Sequence, residues 1–179
     1  MRKNAERLLL SALVLLLMAY GCATKRYVGP TSGTAADVQA STARAIDRAV
    51  SHLPTKPFCR KRIKIKVCAL TPKFGNESPE EAYIKSSLAA KLEKEGARVV
   101  EKDEDIYLMV RVRAVGAVRT RRDLPPLLYV EAISALADMN IRAIKRGELT
   151  AVMDTNIRGK SRTLETYLFY ILGPIYHRQ

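Results

Sequence analysis

The sequence predicts an α/β (α+β) fold: a mixed sheet of about five to six strands with two helices packed on one face. Three observations carry this expectation. Residues 62–70 alternate apolar and polar side chains with a period of two, residues 78–95 combine a helix-start signal with an apolar stripe, and residues 106–118 alternate again. Strand, helix, strand in that order is the unit that makes parallel neighbours through a right-handed crossover.

The chain opens with a basic start (Arg2, Lys3, Arg7), an apolar run from Leu8 to Ala19, and small Gly21 directly before Cys22. A secretory signal has this layout, and the run is shorter than the roughly 20 apolar residues of a comfortable transmembrane helix. Ala19-Tyr20-Gly21-Cys22 resembles the lipobox of bacterial lipoproteins. Gly21 and Cys22 match that pattern, whereas Leu is commonest where Ala19 stands and a small residue where Tyr20 stands. The resemblance implies a signal peptide over residues 1–21, cleavage before Cys22, and acyl chains such as palmitate on that residue. Ala23 stands where an Asp would imply inner-membrane retention, so the implied address is the outer membrane, facing the periplasm. Several acyl chains on one residue anchor stably, because burial contributes about 0.8 kcal/mol per CH₂.

Residues 22–34 read as a lipidated tether in which Gly29, Pro30 and Gly33 discourage regular structure. A single domain is expected over 35–179. Its first helix spans 35–53, with Val38, Ala45, Ile46, Ala49, Val50 and Leu53 on one stripe that Thr42 interrupts. The stripe is narrow and Ala-rich, so this helix should lie against something flat; Pro54 and Pro57 end it. In the strand 62–70, Ile63, Ile65, Val67 and Ala69 point one way, and Arg62, Lys64, Lys66 and Cys68 the other. A loop over 71–77 follows.

Ser78-Pro79-Glu80-Glu81 places a capping hydroxyl, a proline at the first helical position and a glutamate that reaches back to the Ser78 amide. The helix runs to about Glu95 with Ala82, Ile84, Leu88 and Leu92 buried, and Gly96 stops it. A short strand over 97–101, an acidic turn at Asp103-Glu104-Asp105 and a long strand over 106–118 come next. In the long strand Ile106, Leu108, Val110, Val112 and Ala114 form the inner face, and Gly116 is placed to host a bulge. Residues 119–126 read as a basic loop. Residues 127–133 fit either a strand or a helix begun by Pro126, with extended structure preferred. Residues 139–144 and 148–157 read as a hairpin around Lys145-Arg146-Gly147, and 166–176 as a last strand.

The chain carries 31 Lys/Arg and 18 Asp/Glu. Without the three basic and one acidic residues of 1–21, 28 Lys/Arg face 17 Asp/Glu, a net +11. Such a balance attracts anionic partners. There is no tryptophan, and the aromatics are not interleaved with the basic runs, so nucleic acid is not expected. In an envelope the anions are lipid headgroups, lipopolysaccharide or cell-wall polymer. Besides Cys22 there are Cys59 and Cys68. An extended strand at about 3.3 Å per residue would hold their sulfurs too far apart to bridge unless the chain doubles back, so two separate thiols are favoured. No CxxC spacing occurs.

The run 97–116 resembles the matching stretch of small envelope modules: the curli-secretion lipoprotein, the lipoprotein activators of cell-wall synthases, and the amino-terminal domain of TolB. In these a helix is followed by a short strand, an acidic residue and a long strand ending near glycine. The likeness spans about residues 60–160 and rests on element order and hydrophobicity. Many bacterial lipoproteins of unknown function share the layout. The resemblance implies a protein that binds other envelope proteins or assembles with itself, and no enzyme. The long membrane-inserting segments of the curli channel have no counterpart here, so a pore is not implied.

The candidate site is a basic face. Lys64, Lys66, Arg111 and Arg113 emerge together if the helices cover the opposite side, and Arg119, Arg121 and Arg122 extend the charge, as do Lys145 and Arg146 at the hairpin tip. The plainer alternative is a solvated surface partly paired with Asp138 or Asp154. Asp103-Glu104-Asp105 offers oxygen ligands of the kind calcium takes, but three successive residues do not all aim at one ion, and a solvated turn is the preferred reading. His52 and His177 are the only histidines, and neither has a local acid and nucleophile from which a triad could form. The expectation is therefore a lipid-anchored periplasmic binding or scaffolding protein for envelope assembly, without cofactor, metal or catalysis. The alternative is a self-associating structural component that uses a sheet edge or the apolar tail.

Overall fold

A computed structural model describes residues 24–28, 36–68, 78–124, 128–168 and 172–178. Cys22 and residues 1–21 lie outside these, as do 69–77 and the Pro30 and Gly33 positions of the tether. The chain is an α+β protein with two helices and a mixed sheet. The described residues group into two compact units, one within 36–117 and 134–162 (the helical unit) and one of 24–28 with those within 118–133 and 163–178 (the strand unit).

In the helical unit the first helix, α1 (Ala36–Ser51), buries Ser41, Ala45, Ile46, Ala49 and Val50. The Ala-rich stripe does meet a flat surface: it rests on the backbone of β6 (Ala151–Leu168) at Gly159. A single 3₁₀ turn, Lys56–Phe58, then inserts Phe58, almost wholly buried, into the core. The strand β2 (Arg62–Cys68) alternates as expected, with Ile63 and Ile65 buried.

Helix α2 (Pro79–Lys94) begins in the predicted capping box. The Glu81 amide donates to Ser78 Oγ at 3.2 Å, and the Ser78 amide donates to Glu81 Oε2 at 2.8 Å. Ile84, Leu88 and Leu92 are buried, but Ala82 is exposed, a correction to the expected stripe. Two residues back from Ile84 is about 200° around the helix, off the buried side. Gly96 adopts φ +85 and lets the Ala97 amide return to the Leu92 carbonyl at 3.0 Å, closing the helix with a left-handed residue.

The expected short strand is only two residues long, β3 (Arg98–Val99), and it pairs parallel to β2. On its other edge β2 pairs parallel to β4 (Ile106–Leu124). β5 (Leu128–Lys145) and β6 follow, giving the order β3-β2-β4-β5-β6 in this unit. The β5–β6 turn at Arg146–Thr150 is too short for a parallel crossover, so this pair is antiparallel. Ile106, Leu108, Val110 and Val112 are buried on β4, but Ala114 is exposed. Arg113 and Ala114 both face solvent and the inner face resumes at Val115 and Ala117, so the alternation shifts by one residue at 113–114, before Gly116. An extra residue in a strand has this effect. Ala135, Ala137, Met139, Ile141 and Ala143 of β5 and Ile157 of β6 complete the core. Each large aliphatic side chain so buried contributes about 1.5–3 kcal/mol.

In the strand unit the order is β1-β4-β5-β6-β7, where β1 is Thr24–Val28 and β7 is Leu172–Arg178. β1 runs antiparallel to β4, and β7 antiparallel to β6. Residues 119–124, read above as a basic loop, are strand, and residues 128–133 take the extended alternative. Thr24–Val28, read as part of the tether, is a paired strand. Loop-like composition misleads here because Arg119 and Arg121 are matched by Glu131 and Tyr129 of the neighbouring β5.

Candidate functional site

The β2–β4 register sets the candidate face. Lys64 stands opposite Tyr107, Lys66 opposite Met109, and Cys68 opposite Arg111. Each cation on this ladder therefore faces an uncharged residue. The stagger answers the cost of like charges placed directly opposite one another. Lys66, Arg111 and Arg113 are exposed and Lys64 is half-buried, on the side away from Ile63, Ile65, Leu108 and Val110.

The same face extends onto β5 and β6. Arg142 is exposed between buried Ile141 and Ala143, and Arg158 is exposed between Ile157 and Gly159. Sequence reading missed both arginines, although the alternation of 139–144 and of 148–157 carries the signal. Of the two carboxylates named for the plainer alternative, Asp138 does neutralise one cation of this extended face, whereas Asp154 bonds an amide. Asp138, nearly buried, accepts from Arg158 Nη2 at 2.6 Å, and Asp154 accepts from Asn140 Nδ2 at 2.8 Å.

Arg119, Arg121 and Arg122 belong to the strand unit. Arg119 pairs with Glu131 at 2.9 Å. The Arg121 guanidinium carbon lies 4.2 Å from the centroid of Tyr129, whose ring stacks on Tyr167 with centroids 4.4 Å apart and planes 11° from parallel. The Tyr129 hydroxyl donates to Glu131 at 2.9 Å, and the Tyr167 hydroxyl to Glu165 at 3.2 Å. Burial, reinforced by Glu131, pushes the Tyr129 phenol up to about 12. An arginine over a stacked tyrosine pair gains cation–π attraction, so Arg119 and Arg121 serve a local network, whereas Arg122 is exposed.

The acidic turn is a latch. Asp105 accepts from the Arg62 amide at 2.8 Å and from Arg62 Nη2 at 3.0 Å, while Asp103 stands 3.6 Å from Arg146. The Arg62 hydrogen bonds hold the Asp105 carboxyl below its ordinary value, and the same contact raises Arg62. Arg146 also donates its amide to the Asp105 carbonyl at 3.0 Å, so the hairpin tip is tied to this turn. At the other tip residue, Lys145 bonds Glu148 at 2.6 Å.

His52 Nδ1 lies 3.3 Å from the Arg158 carbonyl oxygen, at the end of α1. Cys59 and Cys68 are free thiols. Among the described residues no helix is long and apolar enough to cross a membrane. No protein-family model matches this chain, and no curated protein matches it.

Proposed function

We propose that this chain is a lipid-anchored binding or scaffolding protein of the bacterial cell envelope, held through Cys22 and working by docking an anionic partner rather than by catalysis. The partner is an envelope protein or an anionic envelope polymer. One observation carries the docking surface: the register that sets Lys64, Lys66 and Arg111 in one ladder of the helical unit, with exposed Arg113 two residues further along β4 and Arg142 exposed on β5. The leader and the Gly21-Cys22 pair support the anchor, and Ala23 supports the outer membrane as its location, facing the periplasm.

The docking surface is tested by reversing Lys64, Lys66, Arg111 and Arg113 to Glu and comparing capture from envelope extracts with that of the wild type. The reading expects capture to be lost at low salt while circular dichroism stays unchanged. Undiminished capture by the folded variant overturns it. The anchor is tested by the mass of the amino-terminal peptide from membrane-extracted protein. An acylated Cys22 is expected, and a retained Met1 without added hydrocarbon mass overturns it.

A second reading, self-association as a structural component, draws on β7. It is an edge strand of the strand unit and keeps Ile175 exposed. Concentration-dependent light scattering separates the two, since a strict monomer removes self-assembly.

A further inference from the structure

The β1–β4 ladder of the strand unit breaks the rule that the candidate face obeys. In the β2–β4 ladder every cation meets an uncharged residue, but here Lys25 stands opposite Arg122 and Arg26 opposite Arg121. Of the ten residues in this ladder, five are Lys or Arg and one, Asp123, is acidic. Arg119 and Arg121 are partly compensated by Glu131 and Tyr129, whereas Arg122 is exposed. Like charges directly opposite weaken strand pairing. Successive residues of a strand lie on opposite faces, so the Lys25–Arg122 and Arg26–Arg121 pairs belong to different sides; an anionic surface on the Lys25–Arg122 side would relieve the repulsion there, so pairing and occupancy are coupled.

The ladder's place in the chain selects the surface. Only Ala23 separates Cys22 from Thr24, the first residue of β1. Two peptide units span at most about 7 Å. The polar headgroup layer on each side of a bilayer is itself about 5–8 Å deep. Lys25 and Arg26 follow directly, close enough to a bilayer holding the anchor for its charge to act on them.

We propose that the β1–β4 ladder docks on the anionic phospholipid headgroups of the leaflet that holds the Cys22 acyl chains. β1 is then a strap that seats the strand unit on the membrane, not a spacer. The proposal rests on the reading that Cys22 is lipidated, and it adds a second basic surface, distinct in residues and partner from the Lys64–Arg113 face. Each basic residue near an anionic bilayer raises partition about fivefold, an effect that salt screens.

The test uses mature protein made from the full chain in a bacterial host, as wild type and as the triple variant Lys25→Gln, Arg26→Gln, Arg122→Gln. The amino-terminal peptide mass reports acylation of Cys22, and so judges the anchor separately. The protein is reconstituted into vesicles of phosphatidylcholine alone or of phosphatidylcholine with phosphatidylglycerol, and tryptic cutting after Arg121 and Arg122 is timed. On the anionic vesicles the wild type should be cut at least about fivefold more slowly at low salt. The difference should vanish at high salt, and cutting after Lys94 in the helical unit should not differ between vesicles. In the triple variant cutting after Arg121 should be equally fast on both, while the variant melts no lower than the wild type because a repulsion has been removed. Equal cutting of the wild type on both vesicles overturns the proposal. So does equal slowing by soluble polyphosphate on neutral vesicles, which would assign the ladder to a free polyanion. If Cys22 proves unacylated, flotation with the two vesicle types decides the surface alone: an anionic preference lost in the variant supports it, and no preference overturns it.

Discussion

Gly159 of β6 sits so close to Ala45 of α1 that a Cβ added at Gly159 would stand 2.0 Å from the Ala45 carbonyl oxygen and 2.5 Å from the Ala49 amide nitrogen. Both obstacles are helix backbone, so no side-chain rotation relieves the clash. Around this point Arg48 Nη1 donates to the Lys160 carbonyl at 2.7 Å, and Arg44 bonds Ser161 and Ser41. A narrow alanine stripe is what allows a helix to approach a strand this closely, and the glycine completes the fit. Gly159→Ala should therefore push α1 off the sheet. Overpacking of this kind costs about 1–3 kcal/mol, and each kcal/mol lowers Tm by about 2–4 °C in a chain of this length. Gly116→Ala is the control, since nothing lies within 4 Å of a Cβ there. Calorimetry should find the first variant less stable and the second unchanged; matching melting curves would refute the close-approach account.

The capping box at α2 predicts a smaller effect. Ser78→Ala removes the acceptor for the Glu81 amide and frees the Glu81 carboxylate from its fixed geometry. Loss of a serine cap costs about 1 kcal/mol. Chemical denaturation should show that fall, and Ser78→Asp should recover most of it, because Asp also accepts at this position. Equal losses in both variants would mean that the hydroxyl does not act as a cap.

Asp105 makes stability depend on acid. Arg62 holds its folded carboxyl below the ordinary value, through the side-chain hydrogen bond first and the Arg62 amide second. A carboxyl depressed in the folded state contributes stability above its unfolded pKa of about 3.9, and that contribution disappears as pH falls through the lower folded value. The stability gap between wild type and Asp105→Asn should be flat at neutral pH and shrink below pH of about 4. Denaturant midpoints measured across that range check this. Because the pair is exposed, salt should also narrow the gap; a gap indifferent to pH would remove the charged-pair explanation.

Local signals carried the helices and β2. Ser78, Pro79, Glu81 and Gly96 act within a single turn, and the alternation of 62–68 needs no knowledge of a partner, so both were legible from the chain alone. Residues 119–124 were not legible, because their strand character depends on Glu131, Tyr129 and β1, which are distant in sequence. The same holds for Ala114. Gly116 marked the neighbourhood of an irregularity, but the shift falls at 113–114, and its position depends on packing against the core rather than on a local signal. Within the candidate site, the shared face of Lys64, Lys66, Arg111 and Arg113 followed from the period of two. The facing of each β2–β4 cation by Tyr107, Met109 or Cys68 required the register.

The Tyr129–Tyr167 stack carries the strongest alkaline prediction. Burial raises the Tyr129 phenol to about 12, and the hydrogen bond to Glu131 adds to this by favouring the protonated form. A group whose folded pKa lies above its unfolded value of about 10 contributes stability that is complete below that value and is lost as pH rises through the folded one. Tyr129→Phe keeps a ring for Tyr167 and Arg121 but removes the titrating hydroxyl and its bond to Glu131. The difference in tyrosinate absorbance between wild type and Tyr129→Phe isolates this residue from the other tyrosines. Its midpoint should fall near 12, and the stability gap between the two proteins should close over the same alkaline range. A difference titration centred near the ordinary value of about 10 would show that the phenol is neither buried nor held by Glu131.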